Sequence, residues 1–112
     1  MKTAFATLLL VGQAFLAGLV FAECERDAAP DLPDGASATM EEMVAGQGAV
    51  KAYVASSNSY LECMDAEMAA IPEEEADAKV AALESYNAAV DEQTAVAESF
   101  NEQIRAFKAA NP

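Results

Sequence analysis

From Met43 to Ile71, apolar residues recur at the spacing of one helix face. Positions 43, 50, 57, 64 and 71 are Met, Val, Ser, Met and Ile, positions 47, 54, 61 and 68 are Gln, Val, Leu and Met, and Tyr53 and Tyr60 fall among them. Steps of three, four and seven place these residues on a single stripe. Beside it runs the column Ala49, Ser56, Cys63 and Ala70, small enough for another backbone to lie close. Thr39-Met40-Glu41-Glu42 has the form of a capping box, with Thr39 as N-cap and Glu42 reaching back to it, so the helix starts there. Pro72 stops it, because proline cannot continue a helix and restricts the residue before it. Gly46 and Gly48 each weaken the first turns by roughly 1 kcal/mol relative to Ala, and close approach of another segment accounts for them better than a hinge does.

A second stripe follows. Ala76, Leu83, Val90, Ala97 and Ile104 are spaced by seven, with Tyr86, Phe100, Phe107 and Val80 beside them. Pro72 suits the first position of this helix, Glu73, Glu74, Glu75 and Asp77 place negative charge at its positive end, and Arg105 and Lys108 stand near its negative end. Two long amphipathic helices, about 39–70 and 73–109, joined by so short a turn must lie antiparallel. Ahead of them, residues 23–38 contain Pro30, Pro33 and Gly35 and lack helical periodicity. They read as an extended arm with a turn at Leu32-Pro33-Asp34-Gly35. The expected architecture is therefore all-α, an antiparallel two-helix hairpin with an extended N-terminal arm.

Residues 1–22 bring in compartment. Lys2 precedes an uncharged apolar run from Ala4 to Leu19, and Val20-Phe21-Ala22 precedes Glu23-Cys24-Glu25. This is the form of a secretory signal peptide cleaved after Ala22; the competing reading is an uncleaved membrane anchor. Glu23 ahead of Cys24 argues against a lipid anchor, which needs Cys directly after a small residue at the cleavage point. Cleavage leaves 90 of the 112 residues, enough for one small domain. In an exported chain, two cysteines with none left over point to one disulfide, Cys24 to Cys63, and the competing reading is free thiols or metal ligands. The bond would pin the arm back along the first helix for about 36 Å. Extended chain covers that distance, laying Leu32 and Pro30 over the small-residue column.

Charge narrows the partners. With Lys2 removed, 5 basic residues face 19 acidic ones, a formal net charge of −14. Nucleic acid and anionic membrane surfaces are thereby disfavoured, and basic proteins or cations are permitted. The candidate cation site is the hairpin tip: Glu62, Asp65 and Glu67 before the turn, then Glu73, Glu74, Glu75 and Asp77, with no basic residue between. Its spacing matches no calcium loop, and a solvated acidic tip is the simpler reading. Tyr53, Tyr60 and Tyr86 are expected to pack in the seam with their hydroxyls at its rim. The methionines 40, 43, 64 and 68 suit core filling, or an adaptable surface if one flank is open. Lys51 with Ser56-Ser57 has no enclosed pocket in a hairpin, and nothing points to a cleft that would separate two carboxylate pKa values, so no enzyme and no cofactor is expected.

Two helices bury one seam, which leaves apolar surface for contact with another protein or with a second copy. The candidate anchors are Met43, Val50, Val54 and Leu61 on the first helix, and Phe100, Ile104 and Phe107 on the second. The expected function is protein–protein contact in the cell envelope. The alternatives are a structural homo-oligomer and a weak divalent-cation binder acting through the tip. The run Pro30 to Gly35, the segments Met43-Val44 and Val50-Lys51-Ala52-Tyr53, the block Tyr60-Leu61-Glu62-Cys63 and the block Tyr86-Asn87-Ala88-Ala89-Val90 together resemble a group of small exported proteins of Gram-negative bacteria with no assigned activity. The resemblance implies periplasmic residence and a helical hairpin, and brings over no functional residue.

Overall fold

The computed structural model describes residues 24–112, so the expected signal peptide and its cleavage after Ala22 lie outside the described residues. Two helices form a hairpin, α1 (Met40–Ala70) and α2 (Ala76–Ala110), preceded by an irregular arm. Thr39 caps α1 as its sequence requires: the Glu42 N–H donates to Thr39 Oγ1 at 3.1 Å, and the Thr39 N–H donates to Glu42 Oε2 at 3.0 Å. The helix stops where Ile71 turns extended ahead of Pro72.

The second helix starts later than its sequence suggests. Pro72 opens a turn, closed by the Glu75 N–H donating to the Pro72 carbonyl at 3.0 Å, and α2 begins at Ala76. Packed helix axes stand 8–10 Å apart, so a chain reversing between them needs several residues to cross, and Ile71–Glu75 supply them. Glu75, at the N-cap, makes no side-chain cap bond, while Asp77 keeps a negative charge in the first turn. At the far end the Asn111 N–H and its side-chain amide both donate to the Phe107 carbonyl at 3.0 Å, with Lys108 in the last turn.

The stripe on α1 is buried as its periodicity indicates: Met43, Gly46, Tyr53, Ser57, Tyr60 and Met64 are inside. On α2 the register differs from expectation. Ala82, Ala89, Val96 and Phe100 are buried, whereas Val80, Leu83 and Val90 are 54%, 50% and 37% exposed. Volume explains the difference. In the tip half, Tyr60, Met64 and Ile71 supply the bulk of the core and α2 answers with the alanines 82 and 89. Leucine and valine in those places would overpack the seam.

Cys24 and Cys63 are joined, with Cα atoms 5.6 Å apart. The arm then runs toward the N-terminus of α1, but it lies over the groove between the helices rather than along α1 alone. At its start, Arg26 forms an ion pair with Glu92 at 2.7 Å and donates to the Ala88 carbonyl at 3.4 Å. At its end, the Gly35 N–H donates to Gln103 Oε1 at 2.8 Å. The turn falls at Asp34–Ala38, slightly later than expected: Ser37 and Ala38 N–H groups donate to the Asp34 carbonyl at 3.1 and 2.8 Å, and the Ala36 N–H donates to Asp34 Oδ1. Gly35 is required by contact, since a Cβ there would collide with the backbone of Gln103. Gly46 is likewise explained by close approach, with Pro33 ring atoms 2.8 and 2.9 Å from where its Cβ would stand. Gly48 has no neighbour within 4 Å, so close approach does not explain it.

Candidate functional site

The arm makes the hairpin two-sided. Residues 24–38 lie over one groove between α1 and α2, and where they pass α1 an open cleft of about 460 Å³ remains, lined by Leu32 and Pro33 of the arm and by Ala45, Gly46 and Ala49 of α1. Of the small-residue column, Ala49 stands beside the arm and Cys63 is bonded to it, whereas Ala70 is exposed; the arm residue seated closest on α1 is Pro33, at Gly46. The opposite groove carries no such cover from the described residues.

A polar belt across the middle holds the three segments in register. Tyr53 is buried, and its hydroxyl donates to Glu92 Oε1 at 2.7 Å while Arg26 takes the other carboxylate oxygen. One turn on, Ser57 donates to Gln93 Oε1 at 2.9 Å, and the Gln93 amide donates to Asn58 Oδ1 at 3.2 Å. Slipping either helix by a turn would leave Tyr53 and Ser57 buried without partners, which is costly in a seam otherwise apolar. Burial, then the hydrogen bond to the Glu92 carboxylate and its negative charge, push the Tyr53 phenol above the usual tyrosine range, with Arg26 opposing. The expectation of tyrosines packed inside with hydroxyls at the rim describes Tyr53 well. Tyr60 joins it in the core, and Tyr86 is half-buried against the Tyr60–Met64 cluster.

On the uncovered side, at the open end of the hairpin, an apolar cleft of about 380 Å³ lies between α1 and α2. It is lined by Met40, Met43, Val44 and Gln47 on one wall and by Phe100, Ile104, Phe107 and Lys108 on the other. Four of the seven candidate anchors thus converge. Met43 and Phe100, each 6% exposed, form its floor rather than its rim. Met40 and Val44, at 64% and 59%, are the exposed wall that periodicity alone did not single out. Val50, Val54 and Leu61 continue along the same flank of α1 beyond the cleft and are half-buried. Opposite them on α2, Leu83 and Val90 are left outside because the alanines took the seam. The methionines divide accordingly: Met64, 1% exposed, fills the core and Met40 lines the cleft.

No known protein family, curated protein or solved structure matches the chain.

The acidic tip is arranged differently from a ligand cage. Glu62, Asp65, Glu73, Glu74, Glu75 and Asp77 are exposed, and Glu67 is half-buried. Glu73 is engaged by Lys79 at 3.3 Å. Among the described residues, the one group of three acidic or sulfur ligands within 4.8 Å of one another is Cys24, Cys63 and Glu67. Its two sulfurs are joined in the disulfide and offer no thiolate. Lys51 is exposed, whereas Ser57 is buried in the seam with its hydroxyl engaged by Gln93. No helix among the described residues is long and apolar enough to cross a membrane.

Proposed function

We propose that this chain is an exported, non-catalytic helical hairpin of the bacterial cell envelope that works by docking its uncovered face on another protein. One observation carries the reading: the arm lies over one side of the hairpin, while on the other the cleft of Met40, Met43, Val44, Phe100, Ile104 and Phe107 is uncovered and Leu83 and Val90 of α2 stand 50% and 37% exposed. Single exposed apolar residues are ordinary, but a row that continues into a cleft between two helices is the surface on which a partner helix or helix pair seats. The disulfide supports residence in an oxidising compartment, and the apolar run ahead of Glu23 supports export.

The test is crosslinking in the native compartment with the parent chain and with Leu83→Asp/Val90→Asp. Both positions are exposed, so the variant keeps the fold. A stoichiometric protein product lost in the variant is expected. Capture that is indifferent to the two aspartates contradicts the reading.

A further inference from the structure

The uncovered flank of α1, from Met40 to Met68, advances in alternating steps of four and three residues, the period of paired helices. It carries two charges, Lys51 and Asp65, both exposed. Among the described residues, Arg26 pairs with Glu92 and Lys79 with Glu73, which leaves Lys51 and Asp65 without an ionic partner in their own chain. They stand seven residues to either side of Asn58, about 10 Å each way along the helix.

Opposite charges equidistant from one point form a self-complementary pattern. A two-fold axis through Asn58, perpendicular to α1, exchanges the two sites, so that each Lys51 meets the partner's Asp65. A parallel arrangement would set lysine on lysine and aspartate on aspartate. Asn58 itself is a single exposed amide on the axis, and its Oδ1 is already held by Gln93 of α2.

The matching flank of α2 points the same way. Between Ala76 and Ile104 it follows the same alternating steps, with Val80, Leu83, Val90 and Ala97 interrupted by the neutral Asn87, Thr94 and Asn101. These positions hold no charge, although the chain has 19 acidic residues; the next step beyond Ile104 is Lys108, in the wall of the cleft. Two copies of so acidic a protein can approach only through a strip of this kind, whereas a basic partner would find no carboxylates on it to read.

From this we infer that the uncovered face is occupied by a second copy of the chain, docked antiparallel about a two-fold axis at Asn58, giving a four-helix dimer with two Lys51–Asp65 pairs and an arm on each outer side. The inference rests on the docking reading above and names its partner. An isologous contact of this kind closes on itself, so assembly stops at two.

The test is sedimentation equilibrium of the exported, oxidised protein over a concentration series at low salt, with Lys51→Glu, Asp65→Lys and the double variant. Circular dichroism confirms that these exposed substitutions keep the helices. The parent is expected to reach twice the monomer mass. Each single variant places two like-charge contacts across the axis and is expected to weaken association by about tenfold or more, and the double variant restores it. A dimer indifferent to both single charge reversals overturns the antiparallel geometry. A parent that stays monomeric while in-cell crosslinking through Leu83 and Val90 captures a different protein overturns the second copy and leaves the docking reading standing. A monomer with no capture removes both.

Discussion

Cutting the disulfide should loosen the arm and lower the stability of the whole hairpin. Cys24 and Cys63 are 39 positions apart in sequence. In the chain-entropy account, closing a loop of about 40 residues removes roughly 13 cal/mol/K from the unfolded chain, which is about 4 kcal/mol at 25 °C. Little else at the start of the arm replaces that tether, since Arg26 with Glu92 and Ala88 makes the contacts nearest to it. Both Arg26 and Glu92 are substantially exposed, and such pairs contribute about 0.2–1 kcal/mol. For a domain of this size each kcal/mol shifts the melting temperature by about 4–8 °C, so Cys24→Ser/Cys63→Ser should melt about 15–30 °C below the parent. Thermal unfolding followed by circular dichroism measures this, and reductant added to the parent should reproduce the shift. A double variant melting within a few degrees of the oxidised parent would refute the view that the arm is pinned for stability.

Three further outcomes follow from local geometry. Gly35→Ala drives a methyl group into the Gln103 backbone and should cost roughly 1–3 kcal/mol, whereas Gly48→Ala has open space and should gain about 1 kcal/mol; urea midpoints of the two variants should move in opposite directions. Tyr53 holds its proton more tightly folded than unfolded, so its contribution is complete below the ordinary tyrosine pKa and is lost as pH rises through the raised value. Alkaline unfolding should therefore be displaced in Tyr53→Phe, and phenolate absorbance should lose a step above the ordinary tyrosine range; an unchanged profile would mean that the Glu92 contact is not maintained in solution. Thr39→Ala removes the cap on α1 and should cost about 1 kcal/mol, read as a lower urea midpoint, with no change expected in the association measured by sedimentation.

The capping box at Thr39, the stop at Pro72 and the even cysteine count were legible because each depends on chemistry within a few residues or on a count. The α2 register was not, because the bulk of a side chain does not decide which face of a helix is buried. Leu83 and Val90 look like core on a wheel, yet the choice between them and Ala82 and Ala89 is made by the partner helix, whose Tyr60 and Met64 already fill the space. The late start of α2 reflects the width of a helix pair, which no local signal at Pro72 reports. The arm's grip on α2 depends on pairings across 62 and 68 positions, Arg26 to Ala88 and Gly35 to Gln103, and Gly35 reads locally as no more than a turn residue. The anchors on α1 were legible as a stripe. That Met43 and Phe100 floor a cleft while Met40 and Val44 wall it required the arm's choice of side.

That the side away from the arm is the one that docks is checked by a crosslinking scan along α2 from Leu83 to Ser99. A photoreactive residue placed in turn at Leu83, Val90 and Ala97 on the uncovered flank, and at Ser85, Ala88 and Ser99 on the flank toward the arm, reads which side meets another protein in the cell. Intermolecular products are expected from the first three positions and not from the second. Equal yields from both sets, or products confined to the arm side, would contradict the two-sided hairpin as a docking element.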